Sequence, residues 1–130
     1  MNLLRIAFPI VISMLLLTIP GTSAADDKVS SATRTMAEFM ITLQHYASES
    51  DKDKLKKVAA EATTSADEKT IAQALLNFKH KAADTDKPKL QAITNDATAP
   101  AAVKSLANIL LSLHHKATDA DAAKLKKITK

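Results

Sequence analysis

Cysteine is missing from this chain, and glycine occurs once, at Gly21. Without cysteine no disulfide can stabilise the fold, so a packed apolar core has to hold it together. Without glycine beyond residue 21, the sequence excludes the glycine-rich phosphate loop, the nucleophile elbow and the tightest hairpin turns. Alanine, lysine, leucine and aspartate dominate the remaining sequence, which predicts helices.

The chain also has only a small excess of positive charge. The chain has 18 Lys and Arg residues against 14 Asp and Glu residues, a formal net charge of +4. This excess is too small to indicate nucleic-acid binding. No motif pairs a nucleophile with an acid or a base, so we expect neither an enzyme nor a cofactor.

The first 25 residues have the features of a cleavable secretory signal peptide. Arg5 gives a short positive start, residues 6–19 form an apolar run, and small residues lead to Ala24 and Ala25. The run of about 14 residues suits a secretory leader and is shorter than the roughly 20 residues that cross a bilayer. We therefore expect a periplasmic protein of a Gram-negative bacterium, or a secreted one, that is not an integral membrane protein after cleavage. The mature part, 26–130, is long enough for a single domain.

A unit of 35 residues occurs three times, over about 30–64, 65–99 and 100–130. Such a fixed period indicates a duplicated supersecondary unit. Six columns are identical in all three units: Ala37/Ala72/Ala107, His45/His80/His115, Ala47/Ala82/Ala117, Asp51/Asp86/Asp121, Lys54/Lys89/Lys124 and Leu55/Leu90/Leu125.

Each unit is predicted to contain a long helix, a break and a shorter helix. In the second unit, Ile71, Leu75, Phe78 and Ala82 form an apolar stripe at helical spacing, and a neighbouring stripe includes His80. The predicted fold class is all-α, with three 35-residue helical-hairpin repeats packed as a small six-helix repeat domain or compact bundle. In an alternative, each unit is one kinked helix and the domain is a three-helix bundle.

Local signals place the helix starts. The stretch Ser65 to Glu68 predicts a capping box, and Pro88 and Pro100 suit first turns. An acid-x-acid pattern fills each break, as in Glu49-Ser50-Asp51, and we interpret it as a cap for the following helix. A calcium loop is excluded there, because Lys54 and Ala60 stand where an EF-hand needs glycine and glutamate.

The four histidines are the candidate ligands for a metal ion or haem: His45, His80, His114 and His115. Imidazole is a common ligand of transition metals. In stacked helices, however, equivalent residues of successive units are separated by about 8–10 Å, too far for one ion. We therefore favour a structural role for the histidines and keep metal or haem binding as the alternative.

The leading functional hypothesis is a binding module for a protein or another component of the cell envelope, with no nucleic-acid partner. Stacked helical repeats offer an extended surface, and residues at variable columns can give it specificity. The candidate partner-binding residues are Gln44, Tyr46, Lys79, Lys81, His114 and Lys116. The sequence does not fix the oligomeric state.

Overall fold

The computed structural model describes residues 28–130, so the predicted signal peptide lies outside the described residues. The described part is all-helical and contains no strand, as predicted. Its six helices are α1 (Ser31–Thr42), α2 (Glu49–Ala60), α3 (Ala66–Leu76), α4 (Lys87–Asn95), α5 (Ala101–Ser112) and α6 (Asp119–Ile128). None of these helices is both long and apolar enough to cross a membrane.

The helices form a compact bundle with an inner and an outer set. The inner helices α1, α3 and α5 contact one another in all three pairs. The outer helices α2, α4 and α6 pack mainly on α3, α5 and α1, respectively. The last outer helix thus returns to the first inner helix, and the bundle is closed.

The predicted hairpin repeats are not confirmed as packing units. Each outer helix packs mostly against the inner helix of another unit and only slightly against the inner helix that precedes it in sequence. The contrast in length is also weak, since the inner helices have 11 or 12 residues and the outer helices 9 to 12. The kinked-helix alternative is wrong, because a loop separates the two helices of every unit.

The inner helices supply most of the core. Six large side chains at two repeat columns have no exposed surface: Met36, Met40, Ile71, Leu75, Leu106 and Leu110. Each outer helix buries only two apolar side chains, for example Leu55 and Val58 in α2. This narrow apolar edge agrees with the sequence pattern, since the lysines between these positions face solvent.

Side-chain caps fix the starts of α1, α2, α3 and α6, whereas α4 and α5 have no side-chain cap. The predicted capping box is present, with Ser65 accepting from the Glu68 amide and the Glu68 side chain accepting from the Ser65 amide. Pro88 lies in the first turn of α4, whereas Pro100 occupies the position just before α5. The acid-x-acid prediction needs a correction, because Ser48 caps α2 and Asp51 lies inside the first turn. In the third unit Thr118 and Asp121 have the same roles.

The inner helices end earlier than the apolar stripe predicts. Helix α3 stops at Leu76, so Phe78, His80 and Ala82 lie in the loop that follows it. Phe78 and Ala82 are nevertheless buried, because the loop folds back over the core. The prediction that His80 lies on a helix is wrong. The same prediction is wrong for the other histidines, because His45 lies beyond the end of α1 and His114 and His115 lie beyond the end of α5.

Candidate functional site

Three equivalent loops, 43–48, 78–83 and 113–118, meet at one end of the bundle. The amide of His80 donates to the carbonyl of His45 at 3.1 Å, and the amide of His115 donates to the carbonyl of His80 at 2.7 Å. These two bonds join the three loops around the central axis of the inner helices. We call this region the histidine end.

The backbone at two of the three histidines adopts an unusual conformation. His80 and His115 have φ values of 62° and 63°. In each loop the residue after the histidine donates its amide to the carbonyl of the residue before it, at 2.7 Å, which closes a γ-turn. For a residue with a Cβ atom, the left-handed region costs about 1–2 kcal/mol, and glycine or asparagine usually occupies it. Histidine therefore occupies these two positions although it makes the fold less stable there than glycine would.

The imidazole rings of His45, His80 and His115 form a cluster. Their centroids are 5.8 Å apart for His45 and His80, 5.5 Å for His45 and His115, and 5.0 Å for His80 and His115. The prediction that these side chains stay about 8–10 Å apart is wrong, because the units close around an axis and do not stack along a line. All three residues are exposed.

The fourth histidine, His114, is outside this cluster. It is exposed and neighbours His115, but the structure shows no ring contact between it and the cluster. His114 and His115 both lie in the loop after α5, which ends at Ser112. Within residues 28–130, no set of three or more His, Cys, Asp and Glu side chains is arranged so that it could hold a metal ion. Haem binding stays a prediction.

The candidate partner-binding residues flank the cluster. All six are exposed: Gln44, Tyr46, Lys79, Lys81, His114 and Lys116. Tyr46 is 70% exposed, and it is the one large hydrophobic side chain in the described residues with such exposure. A cleft of about 370 Å³ lies between Tyr46 and His80, with Phe78 and Leu76 among its walls.

The histidine end carries an excess of positive charge. The three loops contain Lys79, Lys81 and Lys116 and no acidic residue. A carboxylate directly follows each loop: Glu49 pairs with Lys52 and Asp84 with Lys87, each at 2.7 Å, whereas Asp119 forms no ion pair among the described residues. The hydrogen bond and the charge of the paired lysine hold the pKa of the Glu49 and Asp84 carboxyls below their ordinary values. The charge of Lys81 also acts on Asp84, so the positive charge of the loops is partly offset at their edges.

A buried carboxylate marks the opposite end of the bundle. Glu68 is 5% exposed and accepts hydrogen bonds from the Thr33 hydroxyl at 2.7 Å, the Ser65 amide at 2.8 Å and the Ser30 hydroxyl. Burial alone would raise the pKa of this carboxyl, but the three donors outweigh it, and the pKa lies below its ordinary value of 4.5. Glu68 thereby connects the starts of α1 and α3.

Sequence reasoning missed this contact between helices. Glu68 and Thr33 occupy the same repeat column, and Val103 is the third member. The capping box alone accounts for an acid at Glu68, so the sequence gives no reason to expect a second hydrogen-bond partner. The one sequence feature that could have indicated the contact is this column, which holds an acid, a hydroxyl and an apolar residue in the three units. These residues border an open groove of about 550 Å³, whose other walls include Val29 and Ile128.

The backbone strain at the histidine end can be measured. Replacing His80 with glycine is expected to raise the free energy of unfolding by about 1 kcal/mol, because glycine adopts a positive φ without a steric cost. His45 does not share this conformation. His45→Gly is therefore the matched control and is expected to give no gain. Urea denaturation measures the free energy of unfolding of both variants. If His80→Gly loses as much stability as His45→Gly, the backbone at His80 is not strained.

Comparison with known proteins gives no relative. No family model matches this chain, and no match is found among curated proteins or solved structures.

Proposed function

We propose that this protein is an exported binding module that recognises a negatively charged component of the cell envelope through the histidine end. The observation that carries the proposal is the meeting of three loops that contain no acidic residue, two of which present the exposed Lys79, Lys81 and Lys116. A positive surface of this kind attracts anionic headgroups, anionic polymers and acidic proteins. Tyr46 adds an exposed aromatic side chain, a residue type enriched in binding interfaces.

Three units of one repeat suit this role. In the proposed organisation each unit contributes one inner helix, one outer helix and one loop to a closed bundle. Closure brings residues that are 35 positions apart in sequence into one small surface, where they can act together on one partner. Among the repeat columns that vary, Gln44/Lys79/His114 gives each loop a different residue, and Tyr46/Lys81/Lys116 distinguishes the first loop from the other two.

Export is part of the proposal. The basic start, the apolar run and the small residues up to Ala25 support cleavage of a signal peptide and release into the periplasm or the medium. The absence of cysteine is compatible with that compartment, because no thiol is available for incorrect disulfide formation.

Charge reversal at the histidine end tests the function. The triple variant K79E/K81E/K116E is expected to lose binding to vesicles that contain anionic lipid by about tenfold or more, since each lysine near an anionic surface contributes about 1 kcal/mol. The matched control K57E/K69E/K126E makes the same change in net charge on helix turns remote from the three loops. The measurement is vesicle flotation of the protein recovered from the periplasmic fraction.

The outcomes separate the parts of the proposal. A mass that lacks the first 24 or 25 residues supports export, and an intact leader contradicts it. Equal losses in the two triple variants indicate a general charge effect and contradict a site at the histidine end. If vesicles do not bind, the same two variants are compared on an anionic cell-wall polymer. Failure of that comparison as well would overturn the proposed function.

A further inference from the structure

We propose that His45, His80 and His115 form a binding site for one divalent transition-metal ion of the Zn²⁺, Cu²⁺ or Ni²⁺ class. Neutral imidazole is a favoured ligand of these ions. The site lies on the same histidine end as the proposed envelope contact, but metal binding can be measured on the protein alone, so its failure and the failure of the proposed function are distinguishable.

The spacing of the three imidazole rings supports a metal site. Three imidazoles that bind one tetrahedral ion through metal–nitrogen bonds of about 2.0–2.1 Å have ring centroids about 5 Å apart. The observed separations are 5.0, 5.5 and 5.8 Å. The three ring centres therefore already lie close to the separations that such a site needs.

The strained backbone at His80 and His115 supports the metal site independently of the ring positions. The left-handed conformation at His80 and His115 favours glycine or asparagine, yet histidine stands at both positions. Strained residues tend to cluster where function requires them. A requirement for the imidazole at these two turns explains its presence.

Metal binding requires the rings to turn. As the side chains stand, the described residues contain no set that could hold a metal ion. All three histidines are exposed, and exposed side chains change rotamer within picoseconds to nanoseconds without disturbing a core. The edge-to-face ring pairs of His45 with His80 and with His115 are contacts that a bound ion would replace.

The nearby lysines do not exclude a cation. Lys79, Lys81 and Lys116 are exposed, so water and salt screen their charges, and their flexible side chains can extend away from the axis. Affinity in such a site comes mainly from the metal–nitrogen bonds. Once an ion is bound, the lysines favour an anion or hydroxide at its open position.

The test uses the protein purified without a polyhistidine tag. Calorimetric titration with ZnCl₂ is expected to show one ion per chain with a Kd on the order of micromolar or tighter. The single variants His45→Asn, His80→Asn and His115→Asn are each expected to weaken binding by about tenfold or more. Asparagine suits these positions because it tolerates a positive φ.

His114→Asn is the matched control. It removes a neighbouring exposed imidazole from the same loop and is expected to leave the affinity unchanged. Titration with Co²⁺ provides a second readout, since three nitrogen ligands in a tetrahedral site give intense visible absorption bands.

Several results would overturn the site. No uptake at 100 µM Zn²⁺, added in excess over the protein, would leave the cluster with only a packing role. Equal losses in His80→Asn and His114→Asn would indicate dispersed binding by surface histidines. One ion for every two chains would assign the metal to a contact between copies and contradict a site within one chain.

Discussion

Replacing Leu75 with alanine is expected to lower the free energy of unfolding by about 3–5 kcal/mol, the range typical of a leucine truncated in a well-packed core. Leu75 has no exposed surface and lies on α3, which contacts both other inner helices as well as α2 and α4. The cavity would lie at the centre of a closed bundle, where neighbouring helices have little freedom to collapse into it. A domain of this size is stable by only about 5–15 kcal/mol, so the variant would lose a large part of its stability.

Leu76→Ala is the matched control for this prediction. It removes the same atoms from the adjacent position of the same helix, but Leu76 is only partly buried. We expect a loss of about 1 kcal/mol, in line with ordinary substitutions at partly exposed positions. Urea denaturation followed by circular dichroism measures both variants. Similar losses at the two positions would show that Leu75 is not at the centre of the core.

Replacing Glu68 with alanine is expected to lower the free energy of unfolding by about 2–4 kcal/mol, because it leaves the Thr33 hydroxyl buried without its partner and removes hydrogen bonds to a charged acceptor. Thr33 is 1% exposed and depends on Glu68 for its hydrogen bond between helices. The starts of α1 and α3 would lose their connection through Ser30 and Thr33. Chemical denaturation at pH 7 gives the value.

The pH dependence of stability separates the charge of Glu68 from its size. Its pKa is below the ordinary value of 4.5 in the folded protein, so the ionised carboxylate stabilises the fold above pH 4.5. That contribution is lost as the pH falls through the folded-state pKa. Glu68→Gln is therefore expected to be less stable than the natural protein at pH 7, and the difference is expected to shrink below pH 4.5.

Glu38→Gln provides the control for the pH series. Glu38 is exposed and makes no side-chain hydrogen bond among the described residues. Its substitution is expected to leave the dependence of stability on pH unchanged. A constant difference between Glu68→Gln and the natural protein from pH 7 to pH 3 would contradict the role of the ionised carboxylate.

Much of the fold could be predicted from the sequence, because its signals are local. Helical spacing of apolar residues such as Ile71 and Leu75 identifies a buried helix face, and Ser65 with Glu68 identifies a helix start. The partner of each outer helix could not be predicted in this way. Leu55 and Val58 make one face of α2 apolar, but that face can pack on any apolar surface that the connecting loops bring near. The loops place it on α3.

The histidine end shows a different limit of sequence reasoning. The stripe through Phe78 and Ala82 has helical spacing, although these residues reach the core from a loop. A positive φ at His80 is not expected for a residue with a Cβ atom, so the apolar spacing predicts a helix that continues through this residue. With His80 on a helix and the units in a stack, the three histidines were expected to lie apart. Closure of the bundle and the turn at His80 bring them together.

Closure also brings the two ends of the described chain together, so that their contact is a helix pair of the same kind as the interior ones. Val29, at the start of the described chain, and Ile128, at the end of α6, border the same groove. In an open solenoid the terminal units have one neighbour each and need special caps, and further units can be added. Here each of the three inner helices of the described residues already has an outer helix packed on it. A circularly permuted chain opened at a different joint would preserve every one of these helix pairs.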